Sequence, residues 1–171
     1  MSQSPYFANA LSLDLAACNV CSLGHDPDAF ELWVQWLYVG ELSDDYIDPW
    51  SLGKTLGCPA FQDHAMMQLI RAHRHYNLSP GTLKAVYEYF NVVPGSKLRQ
   101  WVIDQFTFNV KQGDAGDSNG ATWVAYAKDV KDFGPDFIIA CVDAGAGLEN
   151  ARDPYEYGQN YLEVLKYEKH A

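Results

Sequence analysis

Cys18 and Cys21 are separated by two residues, His25 follows four positions later, and Cys58 and His64 lie further along the chain. Thiolate and imidazole are the ligands tetrahedral zinc prefers, and a C-x-x-C pair is one half of a common zinc site. The other half is missing, because no second C-x-x-C or H-x3-H follows at matching spacing. As a redox pair the motif would have to follow a strand and open a helix, whose N-terminus lowers the thiolate pKa. Here it leads into or lies on a short strand candidate, Val20 to Leu23. A small zinc or redox protein using Cys18, Cys21, Cys58 and His64 is therefore the alternative reading, and no cofactor is expected.

Three further constellations fail on their own chemistry. With Gly120 as the invariant glycine of an EF-hand loop, Asp117 and Asn119 fall on ligand positions, but Ala115 takes the first and Tyr126 the bidentate acid position. The run Phe137 to Val142 before Gly145-x-Gly147 mimics a strand entering a dinucleotide loop, yet Asn150 stands where a third small residue is needed. Five histidines (His25, His64, His73, His75, His170) offer pairs for a nucleophile by number alone, without a G-x-S-x-G elbow or a cysteine signature. No catalytic, cofactor-binding or metal-binding residue is assigned, and the chain does not read as an enzyme.

Composition narrows the classes that remain. The 171 residues are 48% hydrophobic, enough for one packed domain with a tail, and carry eleven Tyr, eight Phe and five Trp, a load suited to cores and interfaces. Twelve Lys and Arg against 22 Asp and Glu leave a net charge of -10, which disfavours nucleic acid as a partner. The one basic cluster, Arg71, His73, Arg74 and His75, falls at the expected end of a helix, where cations complement the dipole. No apolar run reaches membrane-spanning length, and the N-terminus lacks the basic and apolar regions of a signal peptide. Four irregularly placed cysteines fit a reducing compartment. The expected location is intracellular, cytoplasmic or nuclear, with no membrane partner.

The elements that must position any site are mostly helices. Asp26 suits an N-cap and Pro27 the first helical position; Phe30, Trp33, Val34, Leu37 and Tyr38 then recur at helical spacing, and Gly40 stops the helix. Burial of Phe30, Trp33 and Leu37 is expected to stabilise by about 1.5 to 3 kcal/mol each. A short helix from about Pro49 to Leu56 ends at Gly57; another runs from Pro59 to about Tyr76 with Phe61, Ala65, Met66, Leu69 and Ile70 inside. Ser79-Pro80 restarts the pattern with Leu83, Val86, Tyr87 and Phe90, and Ser96 caps a helix bearing Leu98, Trp101, Val102, Gln105 and Phe106. Lys111 to Ala121 is a Gly-rich linker, Trp123 to Asp132 and Pro135 to Val142 read as short helices, and Tyr155 to Tyr167 as a surface helix or ordered tail.

The stretch DPDAFELWVQWLYVG from Asp26 to Gly40, then LGKTLGCPAFQDHAM from Leu52 to Met66, resembles the central part of a fungal BTB/POZ domain. Ser4, Tyr6 and Phe7 match the end of that domain's second helix, and Asn19 to Leu23 falls where the family has its third strand. The resemblance is sharp from Ser4 to Ile70, while Leu98 to Phe108 and Gly134 to Val142 resemble the helical tail of many fungal members. It implies a mainly α product of an α+β family: a BTB/POZ-like helical core with at most a residual short strand, then a helical tail. The expected organisation is a partial BTB/POZ domain over 1-78, a helical segment over 79-110, a linker over 111-121 and a helical tail over 122-171.

Nothing before Ser4 supplies the family's opening strand, hairpin and helix, so the chain reads as N-terminally truncated, which puts the usual dimer interface in doubt. The resemblance implies a non-enzymatic protein-protein interaction module, an adaptor or dimerisation unit, with a protein partner or self-association and, by family analogy, a cullin scaffold. With the apolar stripe taken as core, candidate interaction residues lie on the opposite face and the acidic turn: Glu31, Gln35, Tyr38, Glu41, Asp44 and Asp45.

Overall fold

A computed structural model of the chain describes residues 26–39, 47–74, 78, 80–89, 92–113, 128–145 and 147–165. Helix accounts for 71% of the interpretable part and no strand occurs in it, so the fold is mainly α. Helix α1 (Pro27–Val39) starts where the residues require: the Asp28 N–H donates to Asp26 Oδ1 at 2.9 Å, and proline at the first helical position wastes no donor. Helix α2 (Ile47–Thr55) packs along α3 (Pro59–Ala72). Gly53 permits that closeness, since a Cβ there would stand 3.0 Å from the Gln62 backbone.

The chain after α3 turns back through α4 (Pro80–Lys84), which widens into a π turn over Ala85–Tyr89. Helix α5 (Lys97–Gln112) is capped as its sequence predicts, Ser96 Oγ accepting the Arg99 N–H at 3.4 Å, and Gly113 closes it in the left-handed conformation. Leu98, Trp101, Val102 and Phe106 of α5 are fully or almost fully buried, making it the trunk of the main core. Helix α6 (Phe133–Ala144) lies against α5, and a 3-10 turn (Gly158–Tyr161) touches both α3 and α5.

That core joins Trp50 of α2 to Tyr155, Tyr161 and Leu162 near the end of the chain, so it runs across the boundaries drawn at residues 78 and 111–121. A second, smaller cluster of Ala29, Leu52, Leu56 and Phe61 holds α1 on the α2–α3 pair. Buried aliphatic and aromatic side chains each contribute about 1.5 to 3 kcal/mol, so the main cluster dominates stability.

One expectation needs correction in part. Of the α1 stripe Phe30, Trp33, Val34, Leu37 and Tyr38, Phe30 and Trp33 do pack on the smaller cluster, but Leu37 is 51% and Tyr38 87% exposed. The inward face adds Ala29 and Trp36 to Phe30 and Trp33, so it is displaced around the helix from the expected stripe and leaves Leu37 and Tyr38 outside. Trp36 decides the register, its ring lying 5.2 Å from Phe61 and 5.4 Å from His64, while small Ala29 lets α1 approach α2. Among the described residues, the end of the chain is the ordered tail of the two alternatives read from the sequence, not the surface helix. It is an ordered run of turns, because the Asp63 carboxylate accepts the N–H groups of Glu163, Val164 and Leu165 at 2.7, 2.6 and 2.8 Å and so withdraws them from a helical ladder.

The segment with Ser4, Tyr6, Phe7, Cys18, Cys21 and the strand candidate Val20 to Leu23 lies outside the described residues, as do Gly40 to Tyr46 and most of the Gly-rich linker. No helix among the described residues is long and apolar enough to cross a membrane.

Candidate interaction surface

Helix α6 reads FGPDFIIACVDA, with more apolar side chains than one packed face can use. Asp132 precedes it at φ 66°, a left-handed conformation that Asp tolerates better than most residues, and Gly145 follows it at φ 86°. A Cβ at Gly145 would stand 2.5 Å from the exposed Glu149 carboxylate, which can swing away, so it is the φ of 86° that calls for glycine. The inward face carries Phe133, Phe137, Ala140 and Ala144, at steps of four, three and four. The Phe106 ring on α5 lies 5.3 Å from that of Phe133 and 4.9 Å from that of Phe137, both edge-on. Ile138, Ile139 and Val142 lie off that face and stand 64%, 60% and 73% exposed.

The orientation of α6 is fixed by a polar tie as well as by rings. Arg99 of α5 is buried, donates from Nε to Asp136 Oδ2 at 2.7 Å, and lies 3.9 Å from Asp132. Tyr87, on the π turn, donates its hydroxyl to the same Asp136 oxygen at 2.9 Å, and the Arg99 guanidinium stacks over the Tyr87 ring at 4.3 Å. Burial, reinforced by the Asp136 charge, pushes the Tyr87 hydroxyl pKa well above the ordinary tyrosine value, so it stays a donor. Three elements thus converge on one carboxylate, and α6 cannot rotate its isoleucines inward without breaking that pair.

Beside the exposed stripe, a groove of about 170 Å³ runs between α5 and α6, with Ile139 and Ala140 on one wall and Gln100 and Ile103 on the other. Asp104 and Asp143 line it, and both also border a second cleft of about 170 Å³ that reaches Asn150, Arg152, Tyr157 and Tyr161. Asp104 accepts from Gln100 Nε2 and from the Tyr161 hydroxyl, each at 2.9 Å. Burial raises the Asp104 carboxyl pKa above the usual carboxylate range, and the neighbouring Asp143 charge adds to the rise. Burial and the Asp104 charge likewise push the Tyr161 hydroxyl up.

The residues singled out from the sequence fall in different places. Glu31, Gln35 and Tyr38 are exposed on α1, whereas Glu41, Asp44 and Asp45 lie outside the described residues. Cys58 is half-buried at the start of α3 against the smaller cluster. His64 gives its Nδ1 to the Ala60 carbonyl at 2.8 Å and its ring to Trp36. His73 does the same with the Leu69 carbonyl at 3.0 Å and the Trp101 ring at 5.3 Å, and burial lowers its pKa. Among the described residues no three His, Cys, Asp or Glu side chains gather in a way that could hold a metal. The stretch Phe137 to Val142 is helical, not a strand entering a nucleotide loop.

Set against models of known protein families, against curated proteins and against solved structures, the chain matches none. The α6 surface was missed from the sequence although a signal was present. Six consecutive apolar residues, Phe137 to Val142, on a short helix cannot all face one core, so some must face outward.

Proposed function

We propose that this chain is a non-enzymatic protein-interaction module, an adaptor or dimerisation unit of the BTB/POZ type suggested by the residues between Ser4 and Ile70. The observation that carries the reading is the outward row Ile138, Ile139 and Val142 on a helix whose orientation is fixed by the Arg99–Asp136 pair. Contiguous exposed apolar side chains on a well-packed protein mark interaction sites. A smaller exposed group, Leu37, Tyr38 and Val39 at the end of α1, offers a second contact beside Glu31 and Gln35.

In this reading the chain works inside the cell, in cytoplasm or nucleus, and a cullin scaffold is one partner that the family resemblance adds. The test is quantitative affinity purification of the wild type beside an Ile138→Ser, Val142→Ser double variant. A specific partner, identified by mass spectrometry and rebound in purified form, is lost from the variant while its melting temperature is unchanged. Equal recovery of that partner by both proteins refutes the assignment of the surface.

A further inference from the structure

The α6 stripe is bordered by carboxylates on the side where it meets α5, and that asymmetry bears on what covers it. Asp136 and Asp132 share one guanidinium, Arg99. Asp104 and Asp143 line the same groove as Ile139; Arg99 lines it too, but its guanidinium is taken by Asp136 and Asp132, and among the described residues no salt bridge joins a cation to Asp104 or Asp143. The groove therefore joins an apolar lip to a floor where three carboxylates, Asp104, Asp136 and Asp143, face one guanidinium, that of Arg99. A second copy of the chain would bring a like rim against this one and would carry its own net charge of -10; like charges juxtaposed at an interface are unfavourable. A partner with apolar side chains flanked by Lys or Arg satisfies both parts of the surface.

Resting on the interaction reading above, we propose that the α6 face binds a basic amphipathic helix of another protein. Its apolar side chains cover Ile138, Ile139 and Val142, and a Lys or Arg side chain enters the groove between α5 and α6 to meet Asp104 and Asp143. The groove, about 170 Å³, is of the size one such side chain fills. Entry is led by charge, so association is salt-dependent, while the apolar row holds the complex once formed.

Fluorescence anisotropy with three synthetic peptides and the full chain tests this. One peptide carries Leu at i, i+3, i+4 and i+7 with Lys on the flanks; the second has Glu in place of Lys; the third keeps Lys but has Ser in place of Leu. Only the Leu-Lys peptide binds, and its affinity falls roughly tenfold as salt rises from about 50 to about 500 mM. An Asp104→Asn, Asp143→Asn double variant weakens it at least about fivefold, whereas Asp28→Asn on α1 leaves it unchanged. Equal binding of the Leu-Glu peptide, or a charge-neutral dimer face revealed by light scattering, overturns the basic partner and leaves the interaction surface standing. Unchanged binding to Ile138→Ser, Val142→Ser overturns both.

Discussion

Asp63→Asn is the substitution whose consequence the geometry fixes most closely. Asp63 sits on α3 and is 1% exposed. Its Oδ1 accepts from the Glu163 amide, and its Oδ2 from those of Val164 and Leu165, at 2.6 to 2.8 Å across about a hundred residues of chain. Asparagine keeps the shape but has one acceptor oxygen. Turned toward Val164 and Leu165 it retains two bonds without the charge, and its NH2 then confronts the Glu163 N–H, donor against donor. A hydrogen bond to a charged group contributes about 1.5–3 kcal/mol and a neutral one about 0.5–1.5, so one bond lost and two weakened cost roughly 3–5 kcal/mol. Water can reach the freed amides of exposed Glu163 and Val164, and removing a buried charge recovers some desolvation, leaving a net cost of about 2–3 kcal/mol. For a chain of this size that is a fall in Tm of about 4–12 °C. Urea unfolding followed by tryptophan fluorescence measures the first quantity, and hydrogen exchange at residues 163–165 should accelerate more than exchange in α5. An Asp63→Asn protein within about 0.5 kcal/mol of wild type, with those amides still protected, would refute the clamp.

Tyr87→Phe removes a buried hydroxyl bonded to Asp136 while keeping the ring under Arg99, so calorimetry should show a loss of about 1–2 kcal/mol without a change in fold. Gly145→Ala and Gly113→Ala each force a side chain into positive φ; a cost of about 1–3 kcal/mol is expected for each, read by urea unfolding. Burial holds the His73 pKa below its ordinary 6.5, so the unfolded chain takes up the proton first as pH falls. The stability from neutral His73 is present above pH 6.5 and is lost on acidification through the folded-state pKa; His73→Gln should flatten that part of a stability-against-pH curve.

The chain announces its helices more clearly than its surfaces. Asp26-Pro27, Ser96 and Gly113 are local devices whose physics needs no tertiary context, and they mark helix ends where the structure has them. The α1 register was illegible because Phe30, Trp33, Trp36 and Leu37 are all apolar enough to be buried. Which of them turns inward depends on Phe61 and His64 of α3, about 30 residues away, and such tertiary choices override local pattern. The same holds for the tail: nothing around Glu163 to Leu165 predicts that Asp63, a hundred positions earlier, supplies their acceptor. The acidic groove was hidden too, since Asp104 and Asp143 become neighbours only when α6 docks on α5.

The central claim, that the outward face of α6 is where this protein meets its partner, is tested most directly by a photo-crosslinking residue placed at Ile138 and, in a separate protein, at Glu31 of α1. The account predicts that the Ile138 probe attaches to one identified protein, at a segment rich in Lys or Arg, and that excess Leu-Lys peptide prevents the crosslink. Attachment from Glu31 alone, with the Ile138 probe reacting only with water, would contradict it.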